Sequence, residues 1–297
     1  MKLAITIAAI LLTSILSGQT ANATAEQTVR VGVTPTDFEV IRAKLSLNGN
    51  NINRTQCPSL RSDVLEGMGR PFVEFVIVCN SVFEAKIADR IELIHNLPHR
   101  RRLTDIASGR LDVSSSTIFP EGMKNVVGAN QLIVSDAILE INQFEKAIAT
   151  LPERKDVLST RTLKDLRKFR AATVKYWLVD MKTLNSMGLK SVVSVSKPDH
   201  FSSMLKAGRA DFIISEYAVL TRKEWAKGLV MVPGVKVALV SPRVFPVSSA
   251  RRDIVQAING YVKNARSGDV DLIKRAFQKS GFIRPEYADW KLLFPQQ

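Results

Sequence analysis

Ile106-Ala-Ser-Gly-Arg-Leu-Asp-Val113 and, later in the chain, Leu205-Lys-Ala-Gly-Arg-Ala-Asp-Phe212 are two copies of one short pattern. Each reads as the last turn of a helix, a Gly free to take the left-handed conformation that ends it, an Arg, and the entry of a buried strand. Val113-Ser-Ser-Ser-Thr-Ile-Phe119 continues the first copy and Phe212-Ile-Ile-Ser-Glu-Tyr217 the second. One such unit is an ordinary helix-to-strand junction. Two in one chain predict two similar α/β lobes facing a shared cleft.

The amino terminus carries an export pattern. Lys2 supplies a positive start, Leu3 to Leu16 is an apolar run broken only by Thr6, Thr13 and Ser14, and Ala21-Asn-Ala23 offers small residues for cleavage. The run is short for a bilayer, which needs roughly 20 apolar residues, so residues 1–23 are expected to be a removed signal peptide and the mature protein to be soluble in the periplasm. Cys57 and Cys79 are the only cysteines. In the oxidising space that such a signal implies, they are expected to form a disulfide. It would pin the irregular stretch from Asn48 to Ser59 against Phe72-Val-Glu-Phe-Val-Ile-Val-Cys79, which reads as an apolar strand.

With 45% hydrophobic and 24% charged residues the chain can build a sizeable core. Its net charge of +14 is dispersed. Runs such as His99-Arg-Arg-Arg102 and Arg167-Lys-Phe-Arg170 are short, and no zinc-finger or RNA-binding signature accompanies them, so nucleic acid is not an expected partner. The charge instead suits a field that draws anions.

Strands and helices alternate along the mature chain. Val29–Val33, Ile91–Leu97, Leu111–Ile118, Ala171–Val174 and Ser191–Val195 read as strands. Phe38–Leu47, Val82–Arg90, Arg100–Ser108, Leu178–Met187, Pro198–Lys206 and Ile254–Ala265 read as helices. Ala137-Ile-Leu-Glu-Ile141 and Val235–Val240 read as crossing strands. This order resembles the type II periplasmic solute-binding proteins, in particular the family 3, amino-acid-binding branch that serves ABC transporters. The resemblance rests on Val29–Val33, Leu103-Thr-Asp-Ile-Ala-Ser-Gly-Arg-Leu-Asp112 and Thr162-Leu-Lys-Asp-Leu166. It continues through Met204-Leu-Lys-Ala-Gly-Arg-Ala-Asp-Phe-Ile-Ile-Ser-Glu216 and the closing segment with Ser267-Gly-Asp269. It implies an α/β fold of two Rossmann-like lobes joined by two crossing strands. Residues 26–138 and 240–297 would form lobe 1, and residues 139–239 lobe 2. It further implies a monomer that captures a small-molecule ligand for a membrane permease or a sensor, with no cofactor.

The same resemblance nominates ligand contacts. Ser114, Ser115, Ser116 and Thr117 stand where the family offers hydroxyls. Lys124 is the nearest cation to the place of the family's carboxylate-binding Arg, and a Lys is a point charge rather than a fork. Glu216 aligns with the acid that receives a ligand ammonium, and Tyr217 beside it has a ring that can stack. Lys175, Tyr176 and Trp177 fill a turn at a strand's carboxyl end, where ligands of open α/β sheets bind.

Catalytic signals are weak. Ser203-Met-Leu-Lys206 lacks the partner motifs of its class. His95 and His99 are separated by Pro98 and have no third metal ligand. Two further readings keep the same scaffold. One is an accessory protein whose cleft is degenerate, filled by Tyr176 and Trp177. The other is an enzyme resembling cyclohexadienyl dehydratases, with Glu216 and Lys175 as acid and base.

Overall fold

The computed structural model describes residues 27–295 apart from 96, 125 and 127; the expected signal peptide lies outside the described residues. Five strands form first: β1 (Thr28–Gly32), β2 (Asn51–Ile52), β3 (Arg90–Ile94), β4 (Val113–Ser114) and β5 (Leu132–Val134). The next five build a second sheet: β6 (Glu145–Thr150), β7 (Arg170–Val174), β8 (Ser191–Val195), β9 (Phe212–Ser215) and β10 (Val230–Ala238). β11 (Pro246–Ser248) returns to the first sheet, and β12 (Lys291–Phe294) ends the chain in the second. The sheet orders are β2-β3-β1-β4-β11-β5 and β12-β10-β6-β9-β7-β8. The helices are α1 (Pro35–Lys44), α2 (Arg70–Glu84), α3 (His99–Ala107), α4 (Lys155–Leu158), α5 (Leu163–Leu166), α6 (Leu178–Ser186), α7 (Phe201–Lys206), α8 (Tyr217–Arg222), α9 (Arg252–Arg266) and α10 (Leu272–Lys279). Two mixed α/β sheets agree with the two α/β lobes that the duplicated pattern predicts.

The two sheets repeat one plan. β1 lies between parallel β3 and β4, and antiparallel β11 follows; β7 lies between parallel β8 and β9, and antiparallel β6 follows. The duplicated sequence pattern is the joint of each copy. Gly109 and Gly208 take positive φ (72° and 62°) and end α3 and α7. The Asp that follows then ties the helix end to the central strand. Asp112 accepts from the Arg30 backbone N–H (2.7 Å) and from its guanidinium (3.0 Å). Asp211 accepts from the Arg170 backbone N–H (2.8 Å) and from its guanidinium (2.9 and 3.0 Å). Both carboxylates sit where β4 and β9 begin, away from the strands' carboxyl ends, so their role is to lock each lobe.

Asp211 has one more cation, Arg154 Nη1 at 2.6 Å. Burial alone would raise its pKa, but the hydrogen bonds from Arg170 and Arg154 outweigh this and hold the carboxyl well below the usual range. A carboxyl depressed in the fold stabilises fully above its unfolded pKa of about 3.9, and that contribution is lost as pH falls below it. Asp211→Asn is therefore expected to cost about 1.5–3 kcal/mol at pH 7. The gap to the wild type should narrow below pH 4. Urea unfolding across pH 3–7 reads both effects, and parallel pH profiles would refute them.

The stretch Phe72–Cys79, expected as a strand, lies inside α2. Gly69 at φ +78° opens that helix and Arg70 and Pro71 take its first positions, where a proline's missing N–H costs nothing. α1, α9 and α10 all pack on α2, so residues 72–79 are buried on every side. A helix buried all round has a continuous apolar sequence, as a buried strand does. The segment Val82–Arg90, expected as a helix of its own, supplies the last turn of α2 to Glu84 and then a loop. The expected strand 111–118 pairs regularly only at β4.

The disulfide Cys57–Cys79 is formed, with the Cα atoms 5.9 Å apart, and it fastens the 48–59 segment, which includes β2, to α2 rather than to a strand at 72–79. Asn80 Nδ2 adds a bond to Pro58 O (2.8 Å). Cross-linking positions 22 residues apart limits the unfolded chain. A Cys57→Ser/Cys79→Ser variant should be about 3 kcal/mol less stable in urea unfolding. It should match the wild type measured under reducing conditions.

Two segments run side by side between the sheets. Ile138 N–H donates to Arg243 O and Arg243 N–H to Leu139 O, both at 2.8 Å, and Leu239 N–H donates to Phe144 O at 3.0 Å. Residues 137–141 are not the crossing strand expected there; Leu139 makes a single bridge to Arg243. Asn142 at φ +75° and a turn closed by Gln143 N–H to Glu140 O (3.0 Å) interrupt the pairing, which resumes at β6. Val235–Val240 largely coincides with the end of β10. Residues 280–290 cross once more to reach β12, so the expected lobe 1 segment 240–297 gives its last strand to the second sheet.

Candidate binding cleft

The carboxyl ends of β1, β4, β7 and β9 open on one cavity of about 540 Å³ between the sheets. Thr34 and Asp37 follow β1, Ser116 and Thr117 follow β4, Tyr176 and Trp177 follow β7, and Ser215 and Glu216 end β9. Phe144, Leu239 and Arg243 from the crossing segments also line it. Polar links join the lobes beside it: Lys182 to Glu121 (2.9 Å) and Arg222 Nη1 to Gly67 O (2.9 Å).

Of the residues nominated from sequence, Ser116, Thr117, Tyr176, Trp177 and Glu216 line this cavity. Ser114, Ser115, Lys124, Lys175 and Tyr217 are not among the lining residues. The Ser114 hydroxyl is buried and accepts from Ser116 N–H (3.2 Å), and Ser115 is buried with its Oγ unpartnered. Lys124 caps the turn 120–123. Lys175 lies over the Tyr176 ring at 4.7 Å, and Tyr217 stacks on Tyr287 at 4.6 Å. The two bulky residues of the 175–177 turn leave the cavity open. Tyr176 is 69% exposed, and Trp177 packs toward Phe201, with its ring 5.1 Å from the Lys146 ammonium.

The strongest electrostatic features are residues that sequence reading passed over. Arg70, Arg102, Lys146 and Arg243 all line the cleft, and all four are largely buried. Glu74, fully buried on α2, compensates part of this charge. It accepts from Arg70 Nη1 at 2.9 and 2.7 Å, from Thr117 N–H at 3.0 Å and from the Thr117 hydroxyl. Arg243 donates to the Thr117 hydroxyl (2.8 Å) and carbonyl and lies 4.5 Å from the Phe119 ring. Burial and then the neighbouring Arg70 pull its pKa down to about 9. Lys146 is paired with Asp180, whose carboxyl is pushed up by burial. Phe144 meets three of these cations, Arg70, Arg243 and Lys146, at 5.5–5.8 Å.

Arg102 differs from the rest. Its Nη2 reaches His99 Nδ1 (3.3 Å), which must accept because a guanidinium only donates. Burial, Arg102 and Arg243 together lower the His99 pKa to about 4, so the ring is neutral at pH 7. Arg102 Nε and Nη1 are shut off from solvent and have no hydrogen-bond partner. Buried donors of that kind call for an acceptor. Glu216 offers the opposite charge from the second lobe and adds to the field at both Arg70 and Arg243. Among the described residues no group of three or more His, Cys, Asp or Glu is placed to hold a metal ion.

No family model and no curated protein sequence matches this chain. Solved structures of amino-acid-binding proteins are similar to it in fold. An ancestral arginine-binding protein bound to arginine is 15% identical over 85% of this chain and 97% of its own, with a TM-score of 0.46. The amino acid ABC transporter substrate-binding protein AbpA of Streptococcus pneumoniae, bound to L-arginine, is 14% identical over 86% and 96%, with a TM-score of 0.48. An ancestral amino-acid-binding protein, a precursor of cyclohexadienyl dehydratase, is 13% identical over 86% and 96%, with a TM-score of 0.49. At such values the architecture stands on this chain's own sheet order and duplicated joint.

Proposed function

We propose that this protein is an exported, monomeric solute-binding protein. It closes two lobes on a small anionic ligand of amino-acid size, leaves that ligand chemically unchanged, and presents it to a membrane permease or a sensor. The observation that carries the reading is Arg102, a buried guanidinium at the cleft with two donors that have no partner. A ligand carboxylate oxygen is the acceptor such charged donors suit, and a cavity of about 540 Å³ falls in the usual range for small-molecule sites. Ser116 and Thr34 add hydroxyls to the same lining, and Glu216 adds a carboxylate there for a ligand that also carries an ammonium. Among the described residues no helix is long and apolar enough to cross a membrane.

Mass spectrometry of small molecules co-purifying with the protein, followed by calorimetry with amino acids, organic acids and amines, tests this. Saturable binding of a carboxylate with one site per chain is the expected result. Absence of binding by every class, in protein that unfolds cooperatively, would overturn it. Turnover of prephenate or arogenate would replace it with the enzymatic reading.

A further inference from the structure

A second cavity, of about 380 Å³, lies on the other side of the crossing segments. Alternation along the chain separates the two cavities: Phe144 and Lys146 line the cleft while Glu145 lines this one, and Glu216 lines the cleft while Tyr217 lines this one. Its apolar walls include Ile138 on the first crossing, Ile273 and Phe277 on α10, and Phe282 beyond it.

Most of the charged groups on its walls are engaged. Lys236 holds Glu145 (2.9 Å) and the carbonyls of Tyr287 and Ala288 (both 3.1 Å). Arg266 donates to Ala137 O and Ile138 O, Arg284 pairs with Glu286, and Asp271 caps α10. Lys274 is exposed to solvent. Two neutral groups are left over. Tyr217 Oη and Asn142 Oδ1 are closed off from solvent without a partner, and Tyr217 as a whole is only 3% exposed. The Tyr217 ring is held against Tyr287 and lies 6.3 Å from Trp290, so its hydroxyl cannot swing away to find water. Buried polar atoms without partners are rare in folded proteins, and two on the wall of one cavity call for a partner inside it.

We propose that this cavity is a second binding site, separate from the cleft, for a small neutral amphipathic molecule. An apolar body fills the space against Ile273, Phe277 and Phe282, and one carboxamide or hydroxyl satisfies Asn142 Oδ1 and Tyr217 Oη together. A carboxamide donates N–H to Asn142 and accepts from Tyr217. A carboxylate has no proton for Asn142, so charged analogues are expected to bind more weakly.

Isoleucine-methyl NMR on the full mature chain, titrated with benzamide, tests the site. Ile138 and Ile273 report this cavity and Ile118 reports the cleft. Benzamide is expected to shift Ile138 and Ile273 and to leave Ile118 in place, with benzoate binding at least 10-fold more weakly. Tyr217→Phe keeps the stacked ring and should weaken benzamide at least 5-fold. Asn142→Gly, which suits the left-handed backbone there, should do the same if the first variant folds poorly. No shift of Ile138 or Ile273 up to the solubility of benzamide would overturn the proposal, as would equal affinity in the wild type and both variants. Neither result bears on the ligand of the cleft.

Discussion

Glu74→Ala is expected to cost about 3–5 kcal/mol of stability, the range for removing one partner of a buried ionic network. Glu74 is fully buried, and four hydrogen bonds converge on its carboxylate from Arg70 and Thr117. Without it, Arg70 keeps a buried guanidinium with no counter-ion on α2, and Arg243, already lowered to about 9 by burial and by Arg70, loses the strongest of the charges that oppose that shift. Thr117 would also lose the acceptor that fixes its backbone where β4 meets the cleft. Glu74→Gln keeps the shape and can accept from Arg70 or Thr117 but not from all of them, so its loss should be smaller. Urea unfolding followed by circular dichroism measures both. A cost below 1 kcal/mol for the alanine variant would mean that water reaches Arg70 and that the network does not organise the site.

The sequence reads the frame of this molecule well and the floor of its cleft poorly, for physical reasons. The joint of each lobe is local: a helix end, a left-handed Gly and an Asp on the next strand lie within eight residues, and both copies occupy equivalent places. α2 is hidden because a helix enclosed on every side has no polar face to betray its period. The clue is Gly69-Arg70-Pro71, a helix start just before the apolar run. β6, the first strand of the second sheet, is absent from the sequence reading because Glu145-Lys-Ala-Ile-Ala-Thr150 is rich in small residues and opens with two charged ones, of which the Lys is buried against Asp180. The cations of the cleft are the clearest omission. His99-Arg-Arg-Arg102 reads as a solvated basic run, yet Arg102 shares a helical face with His99, Leu103 and Ile106 at spacings of three and four. That register turns one of three adjacent arginines inward, while Arg101 stays outside on Asp105. Arg243 has no local signal, because only the hinge brings it to Thr117 from a position 126 residues away.

Arg102→Met is expected to separate binding from stability. The guanidinium is almost fully buried and two of its donors are unpartnered, so the ligand-free protein bears much of its desolvation uncompensated. Methionine fills much of the same space without that cost, and the variant should unfold at equal or higher urea concentration than the wild type. Its affinity for the co-purifying anion should fall at least 10–100-fold, since one hydrogen bond to a charged group is worth about 1.5–3 kcal/mol and each 1.4 kcal/mol is tenfold. Gly32→Ala attacks the same interaction from behind. A Cβ there would lie 2.8 Å from Arg102 Cγ, 2.9 Å from its Cδ and 2.7 Å from Leu111 Cδ1, so the arginine's stem must shift while its charge is kept. Loss of affinity in both variants, with stability lost only in Gly32→Ala, assigns Arg102 to the ligand through its position as well as its charge. A less stable Arg102→Met that binds the anion as the wild type does would place the guanidinium in the scaffold. The acceptor for its free donors would then be ordered water.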